Sequence, residues 1–132
     1  MGYYKPCKEF DECNRLIEEY FKTKQYEECF AGHLALAEGG YPLAECQVGY
    51  FYYDGLGVEK DLPKAFEWTK KAAEHGDRDG QYNLAFFYEE GIGTGTDLNQ
   101  AKYWYQQAAK QNHDLALEKC RELGITIDEK KG

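Results

Sequence analysis

The sequence predicts an all-α solenoid, a stack of helix pairs, and three observations carry that prediction. The first is internal repetition. The stretch from Ala44 to Gly76 returns 36 residues later, with Tyr52 falling on Tyr88, Gly55 on Gly91, Asp61 on Asp97, Ala65 on Ala101, Trp68 on Trp104 and Ala72-Ala73 on Ala108-Ala109. Self-similarity at a fixed period of this length marks an array whose units stack on their neighbours. The second is punctuation: each copy carries a two-glycine break, Gly55-x-Gly57 or Gly91-x-Gly93, and then an aspartate of helix-capping type. The third is a lone, more polar helix after the second copy, which is what an array needs to cover its open apolar end.

Residues 1–9 carry Pro6 and no periodicity, so a lead-in or short turn is expected there. A helix is expected from Phe10 to Lys22, with Leu16, Ile17 and Tyr20 on one face, and a second from about Gln25 to Glu38. Cys29, Phe30, Leu36 and Ala37 stand 36 residues before Ala65, Phe66, Ala72 and Ala73. This reads as a first unit that has lost its glycine loop. Gly39-Gly40 ends its helix, and Pro42 opens the next, which runs to about Asp54. On that helix Ala44, Val48, Gly49 and Tyr52 form a face that allows close packing. Asp61, with Pro63 in the first turn, opens a helix to His75. Asp77 or Asp79 caps a helix to Glu90, and Asp97 caps one to about Gln111. A last helix, Asp114 to Leu123, is expected to turn Leu115, Cys120 and Leu123 inward and Glu118, Lys119, Arg121 and Glu122 outward. Gly124 ends it, and the remainder reads as a frayed tail.

At 132 residues the chain makes one domain, burying roughly two thirds of its unfolded surface. The expected division is a degenerate unit at 10–40, full units at 41–76 and 77–112, a capping helix at 113–124 and a tail at 125–132. A net charge of −8 disfavours binding to a phosphate backbone and favours basic or neutral partners. The sequence has no early secretory-type apolar run and no stretch approaching a membrane span, so a cytoplasmic protein without membrane or nucleic-acid partners is expected. The five cysteines are odd in number and irregular in spacing, as reduced thiols would be.

The repeated unit is carried by Val48-Gly49, Tyr52, Gly55, Gly57, Asp61, Ala65, Trp68 and Ala72-Ala73, and by the equivalents from Leu84-Ala85 to Ala108-Ala109. It resembles the SEL-one-like repeat, a relative of the tetratricopeptide repeat. The resemblance covers 44–112 strongly and 10–40 weakly. It implies antiparallel helix pairs in a right-handed superhelix of about three repeats plus the C-terminal capping helix, serving as an adaptor surface without chemistry of its own. The family has a branch stapled by cysteine pairs between successive helices. The corresponding positions here, Ala73 with Gln81 and Ala37 with Glu45, carry none.

Several chemical readings are disfavoured directly. The two-glycine motifs follow helices rather than strands, so they read as helix ends and not phosphate cradles. The chain contains no serine, which removes serine-based acyl transfer. No cysteine is singled out with a base and an orienting group, and acidic pairs such as Glu89-Glu90 read as solvated faces. No catalytic residue and no cofactor are expected. Cys29 and His33 stand one helical turn apart, with Cys13 and Cys46 as possible company, but a structural zinc site wants four closed ligands. No metal is expected, and a thiol- or metal-linked sensor is a remote alternative.

What remains is the set of helix faces not used in packing. If the first helix of each pair lines the inner surface, Cys46, Tyr50, Tyr53 and Asp54 point there, followed by Tyr82, Phe86, Glu89 and Glu90, with Asn14, Glu18 and Phe21 extending the row. Tyr50, Tyr53, Tyr82 and Phe86 would make an aromatic floor, and Asp54, Glu89 and Glu90 acidic walls, suited to a protein or peptide with apolar and basic residues. The alternative is that Tyr50 and Phe86 pack against the neighbouring helix. The function expected is a binding adaptor or regulatory scaffold, monomeric or weakly associating. A self-associating structural module is the second reading.

Overall fold

The computed structural model describes residues 8–17 and 25–127, with side chains from residue 12 onward. Seven helices follow one another among the described residues: α1 Lys8–Leu16, α2 Tyr26–Glu38, α3 Pro42–Asp54, α4 Leu62–Glu74, α5 Arg78–Glu90, α6 Leu98–Lys110 and α7 Asp114–Leu123. Each packs chiefly on the helices before and after it, most extensively within the pairs α3–α4 and α5–α6. This is an all-α solenoid.

The caps explain where each helix starts. Asp61 accepts from the Lys64 N–H at 3.0 Å, and Asp97 accepts from the Gln100 N–H at 3.1 Å. Asp77, fully buried, accepts from the Gly80 N–H at 2.7 Å. Asp77 is therefore the cap of α5, and Asp79 is left for another partner. For α7 the capping atom is His113 Nδ1, which accepts from the Ala116 N–H at 3.3 Å.

The glycine loops fix how units stack. Gly57 and Gly93 have φ of +69° and +70°, in the left-handed region that a side chain disfavours. A Cβ on Gly57 would lie 2.2 Å from the Tyr26 carbonyl oxygen, and one on Gly93 would lie 2.3 Å from that of Leu62. Tyr26 and Leu62 are themselves 36 residues apart. Each loop thus rests on the first turn of the second helix of the unit before it. Aromatic contacts repeat the same step. Phe30 meets Tyr52 edge-on at 5.3 Å, and Phe66 meets Tyr88 edge-on at 5.4 Å. The next equivalents are Lys102 and Gly124, neither of them aromatic, so this pairing is not repeated there. Between helices the core is built from small residues, Ala44, Ala65, Ala72, Ala85, Ala101 and Ala108 all being buried. At Gly49 a Cβ would come 2.4 Å from Thr69 Oγ1, which shows how closely α3 and α4 approach.

Three expectations are corrected. Helix α1 starts at Lys8, within the stretch expected to be a lead-in, and its described part ends at Leu16; Glu18, Tyr20 and Phe21 lie outside the described residues. In α7 the buried residues are Ala116 and Cys120, while Leu115 and Leu123 are exposed. Ala116 and Cys120 join Ala101 and Tyr105 in one buried cluster, so the helix turns its smaller residues inward. Lys119, expected outside, is three-quarters covered. Finally, residues 125–127 are not frayed: Ile125 and Ile127 pack on the Tyr105 cluster, and the Gln106 amide donates to the Thr126 carbonyl. Residues 128–132 lie outside the described set.

Candidate functional site

The first helices of successive units, α3 and α5, leave a cleft between them. It has a volume of about 270 Å³ and is lined by Tyr50, Tyr53, Thr69, Tyr82, Asn83, Phe86 and Phe87. Tyr50 and Phe86 are equivalent positions, so the repeat places an aromatic ring on each side of the opening. Tyr50 is 43% exposed, one of few large apolar residues left open to solvent. Its hydroxyl pKa is raised, first by burial and then by the charge of Asp54 nearby. Tyr53 is held in place by stacking on Phe87 at 5.5 Å. Tyr82 stacks on His113 at 4.7 Å and packs on Tyr105 at 5.5 Å, so it supports α6 and the start of α7 as well as the cleft wall.

The acidic residues divide. Asp54 and Glu90 are exposed. Glu89 is committed inside the chain: it accepts from the Tyr105 hydroxyl at 2.6 Å and pairs with Lys119 Nζ at 3.1 Å. Burial works to raise its pKa, but these two donors outweigh it and hold the carboxyl below its ordinary range. The same contact raises the pKa of Lys119 despite burial. Glu89 therefore ties α5 to α6 and α7, and its charge is largely spent there.

Sequence reasoning missed Thr69, Asn83 and Phe87 in the cleft. It also missed an adjoining hollow of about 360 Å³, where Leu43, Gln47, Asp79, His113 and Leu115 join Cys46, Tyr50, Tyr82 and Asn83. A signal did exist for the amides: Gln47 and Asn83 stand 36 residues apart, and both line this hollow. Of the wider row, Asn14 on α1 is exposed, and Cys46 is buried with its thiol receiving a 3.8 Å contact from Asn83 Nδ2.

Cys46 and Cys29 are poorly placed for chemistry. Burial, followed by the charges of Asp77 and Asp79, pushes the Cys46 thiol well above its ordinary pKa, and burial alone pushes Cys29 up to about 11. Thiolate is the reactive form, so these are inert environments. Cys29 Sγ lies 3.6 Å from His33 Nδ1, but that nitrogen is also 2.9 Å from the Cys29 carbonyl oxygen. Among the described residues no group of three or more His, Cys, Asp or Glu side chains is arranged to hold a metal ion. No helix among them is long and apolar enough to cross a membrane.

Two consecutive stretches, residues 42–77 and 78–113, match the Sel1 repeat family model. The chain belongs to the Sel1 repeat family. Sel1 repeats generally serve as protein–protein interaction scaffolds. The matched units coincide with α3–α4 and α5–α6. Among solved structures, a Sel1 repeat protein from Oxalobacter formigenes is similar at 36% identity with a TM-score of 0.78, over 89% of this chain and 49% of that one. The c5321 protein, a protective antigen present in uropathogenic Escherichia coli strains, displays an SLR fold. It is similar at 29% identity with a TM-score of 0.77, over 88% of this chain and 24% of that one. Helicobacter pylori cysteine rich protein B (hcpB) shares the fold, with a TM-score of 0.67 at 22% identity over 85% of this chain and 96% of that one.

Curated relatives match over shorter stretches. The chitin synthase regulator SKT5 of Saccharomyces cerevisiae is 38% identical over 55 residues, 42% of this chain and 8% of that protein. Its namesake in Malassezia restricta is 46% identical over 41 residues, 31% of this chain and 3% of that protein. The chain spans less than a tenth of the length of either curated relative.

Proposed function

We propose that this Sel1 repeat chain is a binding adaptor or regulatory module, without chemistry of its own, that holds a protein segment along its concave face. Tyr50, Tyr53, Tyr82 and Phe86 anchor the segment; Asp54 and Glu90, with a lesser share from Glu89, favour basic residues beside the anchors. The observation that carries this reading is Tyr50, left 43% exposed over an aromatic cleft of about 270 Å³ in a chain of net charge −8. Aromatic side chains seated in pockets carry a large share of the binding energy at protein interfaces. The name of the curated relatives, regulators of chitin synthase, supports a surface that acts on another protein. The proposed setting is the cytoplasm, and the partner a protein or peptide of basic and apolar character rather than nucleic acid or membrane.

The test is site-directed photocrosslinking in source-cell lysate, with benzoylphenylalanine at position 50 or, on the outer helix α6, at position 103. A discrete adduct from position 50 and none from 103 is expected. An adduct from 103 alone would move the site to the convex face.

A second reading, weak self-association through the end of the array, is favoured by the exposure of Leu98 and Tyr103 on α6 and Leu123 on α7. Light scattering across a dilution series distinguishes it: a mass constant at that of the monomer removes this reading.

A further inference from the structure

The second helix of each full unit carries a buried polar residue at the same place in the repeat, Thr69 on α4 and Tyr105 on α6. In the later unit that residue is satisfied within the chain, the Tyr105 hydroxyl donating to Glu89 at 2.6 Å. In the unit before it both positions differ. Thr69 stands for Tyr105 and Tyr53 for Glu89, so a short side chain replaces a long one and the carboxylate acceptor is gone. Thr69 is 1% exposed and lines the aromatic cleft of about 270 Å³, and its hydroxyl has no hydrogen-bond partner among the described residues. A buried hydroxyl left unbonded carries a desolvation cost that a ligand in the cleft can recover.

The other lining residues narrow the choice of ligand. Five of the seven lining side chains are aromatic, and none is charged. The second polar group is Asn83, whose amide nitrogen contacts Cys46 Sγ at 3.8 Å, leaving its carbonyl oxygen to accept. A group that stacks on rings and donates N–H to two oxygens suits this set. Electrostatics then favour a cation. Asp54 is exposed next to Tyr53, and its negative charge reaches Tyr50, raising the pKa of that hydroxyl after burial does. The whole chain carries −8. Aromatic rings and a negative field both attract a cationic head. Of the two common cationic side chains, the guanidinium is planar, more weakly hydrated than an ammonium, and stacks on aromatic rings.

Resting on the reading of the groove as a protein-binding site, we propose that the cleft takes an arginine side chain of the bound segment. Its guanidinium lies against the aromatic rings and donates to the Thr69 hydroxyl and the Asn83 carbonyl oxygen.

The probes are acetylated peptide amides in which arginine, citrulline, lysine or leucine is flanked by glycines, followed by amide chemical shifts of the nitrogen-15-labelled chain. Citrulline keeps the shape of arginine and loses its charge. The arginine peptide should shift amides around Tyr50, Thr69 and Phe86. The other three should bind about tenfold more weakly, the scale of a cation–π contact held away from water. Thr69→Val, which removes the hydroxyl and keeps the shape, should weaken the arginine peptide about fivefold and leave the leucine peptide unchanged. Tyr50→Leu, at an exposed position, should remove the preference for arginine over leucine. Citrulline, lysine or leucine bound at the cleft as tightly as arginine would overturn the arginine site and leave the groove reading standing, as would an arginine peptide indifferent to both variants. Shifts absent from the cleft with all four peptides at millimolar concentration would overturn both.

Discussion

Glu45 Oε1 lies 2.7 Å from His75 Nδ1, and 36 residues later the same two positions are a pair of amides, Gln111 Nε2 donating to Gln81 Oε1 at 2.9 Å. Each pair joins the first helix of a unit to the end of its second. Glu45 is almost completely buried and Gln81 nearly so, so neither can be left without a partner at small cost. The repeat keeps the contact in space while changing its chemistry.

His75→Ala should therefore destabilise the chain by about 1–3 kcal/mol, because it strands a buried carboxylate. The double variant Glu45→Gln/His75→Gln, which copies the second unit, should recover most of that loss. Urea unfolding of the two variants checks this; a double variant no better than the single would show that the contact depends on charge.

The loop glycines give a sharper stability test. Gly93→Ala forces a Cβ to 2.3 Å from the Leu62 carbonyl at a φ of +70°, and should cost at least about 2 kcal/mol. Gly95→Ala, two residues away with nothing within 4 Å of the added methyl, should change thermal stability by less than about 0.5 kcal/mol. Similar midpoints for the two would contradict the stacking described for the loop.

His33 sets an expectation for pH. Its ring is fully buried on α2, edge-on to Phe51 at 5.4 Å, and Nε2 has no hydrogen-bond partner among the described residues. Burial lowers its pKa, although the Cys29 carbonyl and, more weakly, Glu12 pull the other way. In the unfolded chain the ring takes a proton at about pH 6.5, whereas in the folded chain it does so only at lower pH. Its contribution to stability is therefore complete above about 6.5 and falls as the pH drops from there towards the lowered value. His33→Leu should flatten the pH dependence of the unfolding free energy between about pH 7 and 5, measured by urea titration at several pH values. An unchanged slope would show that His33 takes its proton equally in both states.

Much of this architecture was legible because its signals are local. Pro42, Asp61, Asp97, Gly55 and Gly91 act within a turn of where they stand, and helix starts and stops followed from them. The choice between Asp77 and Asp79 was not legible, since either is close enough to cap α5; Asp79 is drawn off by His113, 34 residues away. The buried face of α7 was misread because hydrophobicity favours Leu115, whereas the residues buried in the Tyr105 cluster are the smaller Ala116 and Cys120. In the groove, helical spacing alone drew Tyr50, Tyr53, Tyr82 and Phe86 together. Phe87 and Thr69 come from another face and another helix, and the commitment of Glu89 depends on Tyr105 and Lys119, which spacing along α5 cannot reveal.

The same contacts decide which variant tests the groove cleanly. Alanine at Tyr82 removes the stack on His113 and the contact with Tyr105, so it lowers stability along with any affinity. Tyr50, exposed at the cleft mouth, and Phe86 opposite it are the better pair.

The measurement that bears most directly on the groove is the affinity of a purified partner, recovered through the crosslink at position 50, for three chains compared by calorimetry. These are the native chain, Tyr50→Ala/Phe86→Ala, and the outer-face control Leu98→Ala/Tyr103→Ala, each confirmed as folded by circular dichroism. Binding by the groove variant should weaken at least about thirtyfold, as loss of aromatic anchors does, with the outer-face control unchanged. Equal affinity of the native chain and the groove variant would contradict the concave site and return Tyr50 and Phe86 to a role in packing.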